Sequence, residues 1–220
     1  LDDVMSDGDG SEQAMDILRV THHTETFITL LADLGIGVHQ ALSVEKVSDH
    51  LSALADLILQ TTFERVWPGV AEKFNLSKGV VPPFAIISYG KLGGKELGYA
   101  SDLDLVFLYD EKEAQTDTTH FPAQEVFSLL AKRMINWLTA YTATGSLFEI
   151  DTRLRPNGSA GFLVTNSEAF KKYQLREGDN AAWVWEHQAL TRARFSAGSP
   201  GVGEFFDSVR LEVLSQQRDI

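Results

Sequence analysis

The sequence predicts an α/β protein in which a small mixed sheet flanked by helices follows an N-terminal helical subdomain. Three observations carry this reading. Apolar residues recur at helical spacing up to about residue 79. "VVPP" (Val80 to Pro83) then halts the periodicity, and beyond it stand two short apolar runs, "FAIIS" and "DLDLVFLY", with a long amphipathic stretch behind them.

The elements follow in chain order. Residues 1–13, "LDDVMSDGDGSEQ", are acidic and nearly free of large apolar groups, so they cannot offset their own ordering entropy and are expected to form a mobile tail. The helical subdomain is taken as 14–79. Leu51, Leu54, Ala55 and Ile58 repeat there at i, i+3, i+4 and i+7, and Ser48 with Asp49 supplies a helix start. The α/β domain is taken as 80–220. Phe84 to Ser88 reads as a buried strand, and Asp102 to Tyr109 as a second one after a glycine-rich turn. A long helix is expected over Ala123 to Ala143, with Phe127, Leu130, Ala131, Met134, Trp137, Leu138 and Tyr141 on its apolar side and Gly145 ending it. "LFEI" (Leu147 to Ile150) and "GFLV" (Gly161 to Val164) read as further strands, and Ser167 to Tyr173 and Asn180 to Phe195 as further helices. No internal repeat is visible.

Composition narrows the function. The chain has 220 residues and a formal net charge of −12, which argues against nonspecific nucleic-acid binding, since neutralising phosphates needs a basic face. Cysteine is absent, so disulfides and thiolate metal sites are excluded and any metal must be held by oxygen or imidazole. No run approaches the roughly 18 apolar residues of a membrane span, and the acidic start is unlike a secretory or mitochondrial leader. A cytoplasmic protein with no membrane partner is expected. The first residue is not methionine, so a piece of a longer protein is plausible.

The densest chemistry lies in "YGKLGGKELGYASDLDLVFLYD", Tyr89 to Asp110. Strand alternation points Asp102 and Asp104 the same way while Leu103 and Leu105 enter the core. Two converging carboxylates repel unless a divalent cation neutralises them, and Mg²⁺ accepts such a pair together with substrate phosphates. Upstream, Gly90, Gly93 and Gly94 are expected to leave backbone N–H groups open to a phosphate, with charge from Lys91 or Lys95. A nucleoside triphosphate with its metal suits both halves. Taken alone, D-x-D is more often a hairpin with solvated aspartates; it also occurs in nucleotide-sugar glycosyltransferases. The glycines, Ser101 and the strand context favour the phosphate reading. The lettering is neither a P-loop nor a dinucleotide fingerprint.

A third carboxylate comes from "GSLFEIDTRLRP". Asp151 lies at the end of its strand, off the core face, where it can meet Asp102 and Asp104 as two-metal phosphoryl chemistry requires. Glu149 shares its face and is read as orienting it rather than as a ligand. Arg153 and Arg155 follow at once, as cations for triphosphate oxygens or as surface ion pairs. Arg192 could also reach the nucleotide. Trp183 and Trp185 are read as core, His187 as packed or exposed, and the adjacent His22 and His23 as facing different directions with no metal role.

These residues carry a resemblance. Gly90, Lys91, Gly94, Ser101, Asp102 and Asp104 resemble the glycine turn and S-D-x-D signature of the DNA polymerase beta-like nucleotidyltransferase superfamily, with Asp151 as its third aspartate. Lys91 stands where many members of the superfamily carry serine. More narrowly, "YGKLGGKELGYASDLDLVFLYD", "DTRLRPNGSAGFLVT" and "WVWEHQALTRAR" resemble the glutamine-synthetase adenylyltransferase family, over about Ala14 to Ser208. The resemblance implies a nucleotidyltransferase fold and transfer of AMP from ATP to a tyrosine of glutamine synthetase, a regulatory step in nitrogen assimilation. It further implies Mg²⁺ or Mn²⁺ at Asp102, Asp104 and Asp151, and regulation by the PII signalling protein and glutamine. "WEHQALTRAR" and "KVSDHL" resemble the adenylylating one of the family's two related domains. Phosphorolytic removal of AMP, or a copy that senses nucleotide or an effector without turnover, remain the alternatives.

Overall fold

The computed structural model describes residues 9–37, 40–114, 122–177 and 180–216. Its first helices are α1 (Asp9–Asp33) and α2 (Val44–Lys73). Residues 9–13 of the expected tail are therefore helical, while residues 1–8 lie outside the described residues. α2 starts at Ser43, which caps the Lys46 N–H at 3.5 Å, and not at Ser48. The earlier start brings the buried Val47 onto the apolar stripe of Leu51, Ala55, Ile58, Leu59 and Phe63.

The sheet among the described residues comprises β1 (Phe84–Ser88), β2 (Leu103–Tyr109), β3 (Ile150–Asp151), β4 (Val164–Asn166) and β5 (Arg194–Gly198). Its order is β3-β2-β1-β5, with β4 also pairing β2. β1 runs antiparallel to β2 and β5, whereas β3 and β4 both run parallel to β2. Since β3 pairs with the first residues of β2 and β4 with its last, residues 152–163 leave that edge and return to it.

Each sheet face is covered. On one side Phe84, Ile86, Leu103, Leu105 and Phe107 form a single cluster with the α2 stripe and with α5 (Ala123–Thr139), which follows the one-turn α4 (Glu111–Ala114). The Phe84 ring stacks on Phe63, Phe107 and Phe127 at 6.1, 5.8 and 5.7 Å between centroids. Burying one such side chain fully stabilises by about 1.5–3 kcal/mol, so the α2 wall is a large share of this layer. On the other side Ala85, Ile87, Val106 and Leu108 pack against α6 (Ser167–Gln174), α7 (Val184–Leu190) and α8 (Pro200–Leu214).

Several boundaries differ from the sequence reading. α5 ends at Thr139, where the buried Arg19 guanidinium donates to the carbonyls of Trp137 (3.0 Å) and Ala140 (2.6 Å) and so satisfies the helix end. Tyr141 consequently leaves the apolar side and is 86% exposed. β3 is shorter and later than "LFEI", and β4 begins at Val164 where "GFLV" was to end. The helix expected over Asn180 to Phe195 divides into α7 and β5, because "RFSAG" finds an open edge on β1. Trp183 and Trp185 are 68% and 60% exposed, not core, since they flank the start of α7 on its outer side. His187 is the buried member of that helix, its Nε2 lying 2.9 Å from the Gln174 carbonyl. His22 meets the Phe148 ring edge-on at 4.8 Å. No helix among the described residues is long and apolar enough to cross a membrane.

Candidate active site

The site begins where β1 stops. The Tyr89 N–H donates to the Asp104 carbonyl at 2.9 Å, carrying the β1–β2 ladder one residue into the glycine stretch. Gly90 then takes φ +55 and opens a one-turn helix, α3 (Gly90–Gly93). A Cβ on Gly90 would lie 2.1 Å from Asp104 Oδ2, so glycine lets the carboxylate keep this position against the backbone. Gly93 has a different reason: its Cβ would strike the backbone oxygens of Arg192 and Ser88 at 2.1 and 2.5 Å.

The N–H groups of Gly93 and Gly94 donate to Tyr89 and Gly90 carbonyls at 2.9 and 3.0 Å. They are therefore closed inside the turn rather than open to a phosphate, which corrects that expectation. Ser101 Oγ accepts the Gly98 N–H at 3.0 Å and closes the next turn. Lys91 is exposed on the outside of α3.

Asp104 sits on the β2 face that α6–α8 cover further along, with Leu103 and Leu105 buried on the other. Its neighbour in register on parallel β3 is Asp151. Paired residues on adjacent strands share a face, so these two carboxylates stand side by side. The Asp104 carboxyl is pushed above the usual range, first by burial and then by Asp102 and Asp151, against the pull of Arg153 and Lys91. Asp102, exposed at the strand entrance, completes the acidic group.

Asp151 is held the other way. Arg153 wraps its carboxylate, with Nε 2.8 Å from Oδ2 and 3.0 Å from Oδ1, Nη2 at 2.5 Å, and the Arg153 N–H donating at 2.8 Å. These bonds pull the Asp151 pKa below its ordinary value. Among the described residues no group of three or more His, Asp or Glu is placed as a ready-made metal cage. Glu149 is exposed, and its carbonyl accepts the Leu103 N–H at 2.9 Å.

The remaining arginines divide. Arg155 donates to the Thr152 carbonyl and Oγ1, both at 2.7 Å, and to the Gly161 carbonyl at 3.4 Å, bracing the 152–163 excursion. Arg192 pairs with Glu96 beside the turn, its Nε 3.0 Å from where a Gly94 Cβ would stand. Arg194 and its partner Asp56, 2.8 Å apart, were not singled out from the sequence. Arg194 opens β5 inside a stretch whose letters read as helix, so no local pattern marked it.

A family model described as glutamate-ammonia ligase adenylyltransferase matches residues 1–209. A bifunctional glutamine synthetase adenylyltransferase/adenylyl-removing enzyme of Ralstonia nicotianae is 55% identical over 96% of this chain and 21% of its own length. Proteins of the same description from Burkholderia mallei and Neisseria meningitidis serogroup A are 54% and 49% identical, over 96% and 99% of this chain and 21% and 22% of theirs. The chain thus spans about a fifth of the length of the curated relatives it matches. With the match running through the glycine turn, the aspartates and "TRAR" alike, the chain belongs to the glutamate-ammonia ligase adenylyltransferase family.

Proposed function

We propose that this chain transfers AMP from ATP to a tyrosyl hydroxyl of glutamine synthetase and releases pyrophosphate. The observation that carries the reading is the placement of Asp104 and Asp151 in register on parallel strands, beside a turn whose first glycine clears the Asp104 carboxylate. The names of the relatives, which include adenylyltransferase, support it.

The residues fit a hard divalent cation, Mg²⁺ or Mn²⁺. All three candidate ligands are carboxylates, and the missing Cβ of Gly90 leaves room against Asp104 Oδ2. Asp102 and Asp104 would hold the ion that accompanies the triphosphate, and Asp151 would complete a second position. When bound, such ions would neutralise triphosphate charge and acidify the acceptor hydroxyl. Lys91 at the start of the turn and Arg153, released from Asp151, would supply charge to the phosphates. With the Gly93 and Gly94 N–H groups bonded inside the turn, its start at Gly90 and Lys91 would meet the β and γ phosphates and fix the leaving group in line with attack. Asp151 would accept the proton of the tyrosyl hydroxyl, whose ordinary pKa is about 10, as its oxygen bonds the α-phosphorus and the α–β bridging bond breaks. Ser101, Arg155 and Arg192 act in this reading by holding the turn and the 152–163 excursion around the nucleotide.

The helical subdomain (14–79) and the nucleotidyltransferase domain (80–220) work as one catalytic piece in the cytoplasm. The PII signalling protein and glutamine are regulators of the longer protein in this reading. Incubation with ATP, Mg²⁺ and glutamine synthetase, followed by intact-mass measurement, tests it: a gain of one AMP per subunit is the expected result. Loss of AMP from pre-modified synthetase with phosphate-dependent release of ADP would instead identify the removing activity that the relatives' names also carry.

A further inference from the structure

β5, unforeseen in the sequence, opens on an arginine whose contacts join three elements. Arg194 Nη1 lies 2.8 Å from Asp56 Oδ2 and its Nη2 3.1 Å from Asp56 Oδ1, a two-point pair with the middle of α2. The same Nη2 donates to the Leu92 carbonyl, in the glycine turn, at 3.1 Å. Nη1 also donates to Ser196 Oγ at 3.1 Å, and that hydroxyl is 2.6 Å from the buried Ser88 Oγ at the end of β1. One turn further along α2, Gln60 Oε1 accepts the N–H of Gly198 at 2.9 Å, at the far end of β5. α2 is thus pinned to β5 at both ends by polar contacts, in addition to the apolar layer it shares with the sheet.

α3 needs such support. A four-residue helix with glycine at both ends cannot maintain its own shape, because nucleation is unfavourable and glycine carries the largest backbone entropy. Two devices hold it from outside: the wedge of Gly93 against Ser88 and Arg192, and the Arg194 donor on Leu92. Only a planar guanidinium can engage both Asp56 oxygens, a hydroxyl and a carbonyl from one position; an ammonium presents a point charge without that fork.

We infer that Arg194 is a positioning residue for nucleotide binding: aimed by Asp56 of α2, it fixes the Leu92 carbonyl and with it the glycine turn against Asp104. It makes α2 an integral support of the site, so that a displacement of the helical region is felt at the turn. The inference rests on the reading of that turn as the triphosphate cradle.

The test uses the full chain with Arg194→Met, Arg194→Lys, Asp56→Asn and the Asp56→Asn/Arg194→Met double variant. Each is measured for KM(ATP) and kcat with glutamine synthetase, for Mg²⁺-ATP binding by calorimetry, and for amide exchange at Gly93 and Gly94 without ligand. Arg194→Met should raise KM and the dissociation constant by about tenfold or more, with kcat at saturating ATP changed by less than about threefold. Exchange at Gly93 and Gly94 should accelerate. Arg194→Lys should restore only part of the affinity, Asp56→Asn should shift in the same direction by less, and the double variant should match Arg194→Met, since both changes cut one path.

A merely structural arginine would lower the melting temperature and leave KM and local exchange at parental values; that result overturns the inference. Should Arg194→Met fail to fold, Asp56→Asn decides alone, because it is isosteric and its side chain is 26% exposed: parental KM and parental exchange at Gly93 and Gly94 would overturn it. If the parent itself binds no Mg²⁺-ATP, the reading of the site falls and takes the inference with it. If the parent binds and the variants bind equally well, only the inference falls.

Discussion

Gly90→Ala separates the stability of the fold from the integrity of the site. Two effects act on stability. At φ +55 an alanine carries the left-handed penalty of roughly 1–2 kcal/mol. Its smaller unfolded-state entropy returns about 0.4–1 kcal/mol. The new Cβ also falls 2.1 Å from Asp104 Oδ2 and 3.1 Å from its Cγ, but these atoms end a rotatable side chain, so the carboxylate turns away and the backbone stays. The net loss should be about 1 kcal/mol, or roughly 2–4 °C in melting temperature for a protein of this size. Activity should suffer far more, by about a hundredfold, because the displaced carboxylate is the proposed ligand at the heart of the site. Gly98→Ala is the control: its Cβ would sit 3.4 Å from Ser101 Oγ, close to ordinary contact, and little should change. Gly93→Ala is the opposite extreme, meeting backbone oxygens that cannot rotate, and should cost at or beyond the upper end of overpacking losses, about 3 kcal/mol. Melting curves together with Mg²⁺-ATP calorimetry read all three. A Gly90→Ala protein that melts within a few degrees of the parent and binds Mg²⁺-ATP equally well would refute the assignment of Asp104 to the site.

Asp104→Asn should melt at or slightly above the parent at pH 7 without ligand. Burial, Asp102 and Asp151 raise the Asp104 pKa, so its ionised form is a penalty above that pKa and disappears as the pH falls toward 3.8. The variant should nevertheless gain much less than the parent from Mg²⁺-ATP in the same melts. His22, held neutral by burial with its pKa near about 4 against 6.5 unfolded, should make stability fall as the pH drops from 6.5 toward 4, and His22→Gln should flatten that part of the melting-temperature profile. An unchanged slope would remove His22 from the acid response. Deleting residues 1–79 should expose Phe84, Ile86 and Phe127 and aggregate the remainder; a monomeric 80–220 fragment with a cooperative melt would show instead that it folds alone.

What could be read from the chain was whatever local chemistry determines. β1 and the core of β2 are dense apolar runs and stand where the pattern put them, and α5, which repeats at helical spacing, starts at Ala123 as expected and ends early at Thr139. That Asp104 and Asp151 stand at strand positions off the core was legible because strand alternation and strand ends are local properties. β5 was not: "RFSAG" is polar and small, and it becomes a strand only by pairing with β1, some hundred residues earlier in the chain. α8 buries a stripe at helical spacing, Val202, Phe206, Val209 and Val213. The exposure of Trp183 and Trp185 was hidden for a different reason, since aromatic size argues for burial and only the packing of α7 decides which side faces in. The Arg153 clasp on Asp151 and the Arg194 brace could not be foreseen either, because they depend on which of several nearby acceptors each guanidinium reaches.

The polar seam between α2 and β5 has a consequence for synthesis. Asp56 and Arg194 lie 138 residues apart, so a ribosome working at roughly 5–20 residues per second completes the helix on the order of ten seconds before its partner strand exists. During that interval β1, β2 and α5 can already cover Leu51, Ile58, Leu59 and Phe63, but Asp56 waits without Arg194 and the edge of β1 that β5 will take stays open, which makes the nascent chain a substrate for chaperones. A circular permutant that delivers β5 ahead of α2 would shorten this wait, and its yield of folded protein in a chaperone-depleted translation system should exceed that of the natural order.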